Sequence, residues 1–487
     1  MRDQLKRDAV KGIGWALFSS ISVRLLQITT TATLAKLLIP ADFGAYSLTT
    51  IIIAAMALIP DIGFAQVLIY QQGDIRKNAN TAFILSFLTS TVLASFICLG
   101  APLISRAFGA PAIAMPLRIM SFGLAVSGLT AVPLALLDKE LKFRKRAVPE
   151  VASAFTYAVV AISLAVLHFG VWSMVIGWTA MSLIGAVATW KVSSWRPALE
   201  FCSEGSRVIL RYGGHLVSAT LASFLFLQID NASVGKWLGL TALGFYSIAF
   251  TTCNMPATNL TAVVNKVMYP TYSKLHGDIA EIRGVYLQTM KHLSSVAFPA
   301  AVALMTLPDP VIRVFYGEKW EGAIPLFHIL ALYGLVRSIG ATSQAVFMAM
   351  GKPELVRRVS WTQLLIGASL VYPTARKFGV EGVAVLFTCA YFAGTSYGLV
   401  KVQSILGISL AGWLNSIKAP AVSALLAGAF SWISIVSVKQ PSWPSIGINT
   451  ALLLSGYALS MFVMDRSIFK SMGSLLASSR PNGIAEV

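Results

Sequence analysis

Acidic side chains are scarce in this chain: 20 Asp and Glu among 487 residues. Histidine and cysteine are scarcer, at five and four. Charged residues of all kinds reach 12%, about half of the roughly 25% usual in a soluble domain. Each shortage excludes something. Cys98, Cys202, Cys253 and Cys389 are scattered and form no Cys-x-x-Cys, so neither a disulfide framework nor a zinc site is indicated. No Gly-rich loop runs into Lys-Ser/Thr, which removes a phosphate-binding ATPase loop. The few polar residues that might form a triad are isolated among apolar runs, and all loops expected on the outer side are short. An enzyme is not expected, and no cofactor is implied.

What the chain has instead is apolar length. Hydrophobic residues make up 56%, and the mean hydropathy is +0.72. Apolar runs of roughly 20 residues recur from end to end, the length of a membrane-crossing helix. Barrel strands would alternate every second residue over about 10. The predicted class is therefore an all-α polytopic membrane protein. Fourteen spans can be placed, at 13–35, 43–69, 80–104, 112–137, 148–168, 171–190, 212–235, 242–269, 289–314, 322–349, 356–375, 380–400, 413–436 and 445–464. The N-terminal Arg2, Lys6, Arg7 and Lys11 precede an apolar run too long for a signal peptide, so the first span is expected to be retained as a helix.

The net charge is +18. In a soluble protein that would suggest nucleic acid; here the cations crowd alternate loops. Arg76 and Lys77, then Lys139, Lys142, Arg144, Lys145 and Arg146, then Lys191, Arg196 and Arg207 lie on one side. The opposite loops hold isolated cations and two pairs, Arg313/Lys319 and Arg376/Lys377. By the positive-inside bias both termini are expected in the cytoplasm. The loop "KELKFRKR" (Lys139–Arg146) fixes topology and could also attract anionic lipids.

The chain also repeats itself. "LLIPADFGAYS" (Leu37–Ser47) returns as "WLGLTALGFYS" (Trp237–Ser247), with Gly44, Tyr46 and Ser47 matching Gly244, Tyr246 and Ser247. "GDI" at Gly73 returns at Gly277, "IAMPL" (Ile113–Leu117) as "GAIPL" (Gly322–Leu326), and "FGV" at Phe169 returns at Phe378. Arg106 and Phe108 match Arg313 and Phe315, and "KEL" at Lys139 matches "KPEL" at Lys352. Each match is weak alone, but they keep one order and fall at equivalent span boundaries. The expected organisation is a six-helix lobe over 1–190, a cytoplasmic linker over 191–211, a second six-helix lobe over 212–400, and two extra helices with a cytoplasmic tail over 401–487. Six spans is even, so both lobes enter from one side as a parallel repeat, a secondary-transporter architecture.

Arg24 falls mid-span with Ser20, Gln27 and Thr31 on its helical face. Arg337 falls mid-span with Tyr333 and Gln344 on its own, and Arg118 lies in the outer third of its span. A central Arg costs about 2.5–3.5 kcal/mol on insertion scales, so these side chains should face a wet cavity or a partner. The functional reading is a cationic substrate site for an anion, since Arg binds phosphate oxygens bidentately and stays charged. The structural alternatives are ion pairs between helices, or snorkelling for Arg118. Asp61 and Asp230 are the buried acids; either could bind a coupling H+ or Na+, neutralise an Arg, or cap a kinked helix. His168, His215 and His328 read as structural. Pro60, Pro116, Pro299 and Pro325 suggest kinks. "FCSEGSRVILRYGG" reads as an interfacial linker helix.

"LAKLLIPADFGAYSLTTIII" (Leu34–Ile53), followed by "DIGFAQVLIYQ" (Asp61–Gln71), resembles the polysaccharide transporters of the multidrug/oligosaccharidyl-lipid/polysaccharide exporter superfamily. "VMYPTYSKL" (Val267–Leu275) is similar to the segment after their eighth span. The match looks like the Wzx-type flippases of the colanic-acid-exporter-like subgroup. That resemblance implies a V-shaped pair of six-helix lobes plus two helices in the bacterial inner membrane. It implies flipping of an undecaprenyl-pyrophosphate-linked oligosaccharide in an H+- or Na+-dependent alternating-access cycle, and a cationic central cavity. A polysaccharide polymerase and co-polymerase are the implied protein partners of an expected monomer. One departure is "IYQQGDIRK", where the family's basic residue is displaced to Arg76 and Lys77. A multidrug extruder of the same superfamily is the competing reading, but it would favour an acidic cavity. A membrane enzyme or scaffold of polysaccharide assembly is a second.

Overall fold

The computed structural model describes residues 2–60, 75–198 and 224–466, apart from 141, 276 and 438–442, with 200, 217, 220 and 221 besides. The chain is an all-helical polytopic membrane protein. Its helices are α1 (Arg2–Leu37), α2 (Pro40–Pro60), α3 (Ile75–Ala107), α4 (Ala114–Lys139), α5 (Phe143–Val166) and α6 (Val171–Val192). They continue with α7 (224–237), α8 (Leu240–Lys274), α9 (Ile279–Thr306), α10 (Ile324–Ala349), α11 (Pro353–Leu406), α12 (Leu410–Ser437) and α13 (Trp443–Met464). Among the described residues nine helices are long and apolar enough to cross a bilayer, and a tenth candidate is bent by 69° between Thr306 and Pro308. At 1.5 Å per residue the 54 residues of α11 would run about 80 Å, well over twice the ~30 Å hydrocarbon core. It is two crossings broken at Gly379, as the separate spans 356–375 and 380–400 predict, which makes fourteen helical segments of more than ten residues among the described residues.

Outward faces are apolar. Leu99 is 80% exposed, and Phe96, Leu103, Phe392, Val400, Phe430 and Ile433 are exposed with it. Water would not tolerate so continuous an apolar surface; lipid does.

The described residues form two compact units, Met1–Ser247 and Ile248–Val487. In the first, α3 packs on α4, α5 on both α6 and α1, and α6 on α4. In the second, α9 packs on α10 and α12, α10 on α11, and α12 on α13. The core of the second unit is Tyr286, Met290 and Leu293 of α9, Val346 and Phe347 of α10, and Val402 and Leu406 of α11. The extra helix α13 is tied to α9 by a Lys291–Asp465 ion pair and by Tyr457 donating to the Ser295 carbonyl at 2.8 Å. Residues 201–211 of the expected linker lie outside the described residues.

Local chemistry explains two of the repeated words. In both copies of Phe-Gly-Val the glycine holds a conformation that side chains resist: φ 56, ψ −135 at Gly170 and φ 63, ψ −152 at Gly379. Gly alone enters that region cheaply, so the same tripeptide turns the chain between spans five and six and between spans eleven and twelve.

The second word is a close approach. A Cβ on Gly44 would sit 1.8 Å from the Leu240 carbonyl oxygen, and one on Gly244 would sit 1.9 Å from the Pro40 carbonyl oxygen. Pro40 and Leu240 occupy equivalent places in the two copies. Exchanging the copies therefore maps this contact onto itself: within the first unit the opening turns of α2 and α8 meet backbone to backbone, glycine over glycine.

Candidate functional site

Asp42, in the repeated stretch, caps two helices at once. One carboxylate oxygen accepts from the Ile39 N–H at 3.3 Å, the backward half of a capping box on α2. The other accepts from the Val171 N–H at 3.1 Å, the first residue of α6. The "ADFG" motif thus pins the starts of α2 and α6 together beside the glycine crossing. The second copy has Ala242 in this place and no such cap.

Between α2, α4, α5 and α6 the first unit holds an open chamber of about 410 Å³. Its walls are mainly apolar (Ile53, Leu124, Trp178, Met181) with hydroxyls at Thr50, Ser127, Thr130 and Ser182. Arg146 and Glu150 also line it. Arg146 bridges Asp138 and Glu150, at 3.2 Å to each, and Glu150 accepts from the buried Ser19 of α1 at 2.9 Å. The sequence alone does not single out Glu150 and marks Arg146 only as loop charge. Their spacing of four residues on one helix was the available signal.

Neither sequence-predicted cation of this unit borders the chamber. Arg24 is exposed in α1, with Ser20 and Gln27 exposed beside it and Thr31 half-buried. Among the described residues no carboxylate lies within ion-pairing distance of it. Arg118 is half-buried and folded onto α3, with Nε 3.4 Å from the Cys98 carbonyl and Nη1 3.5 Å from the Met115 sulfur. Asp230 is buried in α7. It accepts from the Tyr246 hydroxyl at 2.8 Å and from the Asn231 N–H and side-chain amide at 2.7 and 3.2 Å. These three donors are neutral. Asp61 lies outside the described residues.

In the second unit Arg337 is half-buried in α10. It donates to Asn254 of α8 at 2.6 Å and lies within interaction range of the Tyr391 hydroxyl. Tyr391 meets the buried Tyr333 ring edge-on at 4.9 Å, and Tyr333 lies 5.5 Å from Phe250. Among the described residues no acid pairs with Arg337. Its partners orient the guanidinium without cancelling its charge, so a fixed cation remains available to an anion. Tyr333, expected on the face of Arg337, acts as the shelf under Tyr391. Asn254 and Tyr391 come from other helices, and no pattern in the sequence pairs them with Arg337. Among the described residues no group of three or more His, Cys, Asp or Glu could hold a metal ion.

Nine or ten apolar helices of membrane-crossing length among the described residues, an internal repeat and arginines that no acid neutralises among those residues define a polytopic protein of the transporter class. Comparison with known proteins narrows the class. Residues 33–325 match the family model "Polysaccharide biosynthesis protein", and the chain belongs to that family. It is 21% identical to the teichuronic acid biosynthesis protein TuaB of Bacillus subtilis (strain 168), over 98% of this chain and 99% of the relative. It is 23% identical to the lipopolysaccharide biosynthesis protein WzxC of Escherichia coli (strain K12), over 85% of each. It is 27% identical to the succinoglycan biosynthesis transport protein ExoT of Rhizobium meliloti (strain 1021), over 67% of this chain and 66% of that one. The fold is shared with the lipid II flippase MurJ in an inward closed conformation, with TM-score 0.75, 15% identity, and coverage of 93% of this chain and all of that one. It is also shared with an inward-facing multidrug resistance MATE family transporter of the MOP superfamily, with TM-score 0.66, 16% identity, and coverage of 79% and 94%.

Proposed function

We propose that this protein is a secondary transporter that flips undecaprenyl-pyrophosphate-linked oligosaccharide repeat units from the cytoplasmic to the periplasmic leaflet by alternating access, for surface or exopolysaccharide synthesis. Arg337 carries the proposal: a cation inside a span, held by Asn254 and Tyr391 and offset by no acid among the described residues. The exposed Arg24 supports it. A pyrophosphate and a sugar chain are costly in hydrocarbon, whereas a polyprenyl tail is not. Arginines in the spans lower that cost for the head while the tail stays in lipid. Family membership supports the polysaccharide assignment, as do the flippase and transport names of relatives and structural neighbours.

The protein acts as a monomer in the bacterial inner membrane with both termini cytoplasmic, is not itself an enzyme, and hands its product to a polysaccharide polymerase and co-polymerase. Arg118 is an auxiliary cation, and Asp230 or Asp61 serves H+ or Na+ coupling. A multidrug extruder shares the fold, but a cationic drug would be repelled by Arg24 and Arg337.

The test is export in a deletion strain. Arg337→Ala and Arg24→Ala are expected to abolish surface polysaccharide and to accumulate the lipid-linked unit in the inner leaflet, with normal amounts of protein in the membrane. Normal polysaccharide from both variants refutes the assignment.

A further inference from the structure

The second unit contains a small cavity with several polar residues in its walls, apart from the chamber described above. It measures about 10 Å³ and lies between α10 and both halves of α11, lined by Ser343, Gln363, Tyr391 and Thr395 among others. Ser343 and Gln363 are each 3% exposed. The Ser343 Oγ and the Gln363 Nε2 have no hydrogen-bond partner. Tyr286 approaches Ser343 from α9 without hydrogen-bonding geometry. The place is built for the amide: a Cβ on Gly394 would lie 2.4 Å from Gln363 Cγ and 2.8 Å from its Nε2. A glycine is thus what lets the Gln363 side chain enter.

Burying an amide and a hydroxyl without partners is unfavourable, and a cavity of this size with several polar walls is about what one water molecule needs. We propose that this cavity is a binding site for a single neutral water molecule, which bridges Gln363, Ser343 and Thr395 and, through Tyr391, fixes the orientation of Arg337. The water accepts from the Gln363 amide and shares hydrogen bonds with the hydroxyls. No carboxylate lines the cavity, so a metal cation is disfavoured there. Ser343 and Gln363 are then positioning residues, acting on the anion site through Tyr391. The role given to Arg337 rests on the function proposed above; the water site itself does not.

The experiment uses the full chain in lipid nanodiscs, with farnesyl pyrophosphate as the binding probe. Ser343→Thr keeps the hydroxyl and adds a methyl of about the volume of the water. If the site holds water, this variant displaces it, strands Gln363 and lowers the melting temperature. If the site is dry, the methyl fills a void and raises it, which overturns the proposal. Ser343→Thr and Gln363→Leu are each expected to weaken farnesyl pyrophosphate binding about three- to tenfold, the scale of one lost hydrogen bond, and Gln363→Asn to restore part of it. Unchanged binding in Ser343→Thr and Gln363→Leu, alongside weakened binding in Arg337→Ala, overturns the link from water to Arg337 and leaves the transport proposal standing. Unchanged binding in Arg337→Ala strikes at the transport proposal instead. A melting temperature raised by Na+ or K+ relative to choline at equal ionic strength, and abolished by Gln363→Leu, would make the occupant a cation and overturn the neutral-water proposal. If Ser343→Thr does not accumulate, a high-resolution density map of the unaltered protein decides the matter: a peak within hydrogen-bonding distance of Ser343 Oγ and Gln363 Nε2 supports the water, and a bare cavity refutes it.

Discussion

Replacing Gly44 by alanine tests the central packing claim. The added Cβ would begin 1.8 Å from the Leu240 carbonyl oxygen, whereas carbon and carbonyl oxygen settle at about 3.3–3.6 Å. The gap must open by about 1.5 Å. The obstacle is backbone, so no rotamer change can relieve it; the opening turns of α2 and α8 have to separate. Overpacking that side chains can absorb costs about 1–3 kcal/mol, and this case belongs at the upper end, about 3 kcal/mol. Gly244→Ala meets the Pro40 carbonyl at nearly the same distance and should cost the same. Because one separation relieves both clashes, the double variant should cost much less than the sum of the singles. Gly284→Ala is the control: it lies in α9, nothing is within 4 Å of its added carbon, and it should stabilise by up to about 1 kcal/mol through helix propensity alone. The assay is thermal unfolding of the detergent-solubilised protein followed by loss of the monodisperse peak. A Gly44→Ala protein as stable as the parent, or fully additive singles, would refute the reciprocal crossing.

Asp42→Ala removes the acceptor shared by the Ile39 and Val171 amides and should lower stability by about 1–2 kcal/mol; Asp42→Asn should recover most of it in the same melting assay.

Much of the architecture was legible beforehand because it follows from local composition. Apolar runs of span length, cations on alternate loops and a repeated set of boundary words are properties of neighbouring residues, and they located fourteen segments, including the break inside α11 at Gly379. The cations were legible for the same reason: an arginine within an apolar run is visible without knowing what surrounds it. What surrounds it was not legible. Arg337 finds Asn254 and Tyr391 on two other helices, Arg118 turns to a carbonyl of α3, and Glu150 reaches Ser19 of α1. No periodicity encodes which helix stands opposite which.

The repeat shows the division most plainly. The sequence by itself determined that Gly44 and Gly244 hold equivalent places, and that Phe-Gly-Val recurs where the chain must turn. Only the tertiary structure decided that the first pair of glycines touch each other, because the approach of two backbones depends on how helices far apart in the chain are brought together. A glycine in a list of residues does not say whether it is there to bend the chain or to let another chain segment come close. Gly379 bends its helix, Gly44 admits a carbonyl, and packing alone distinguishes them.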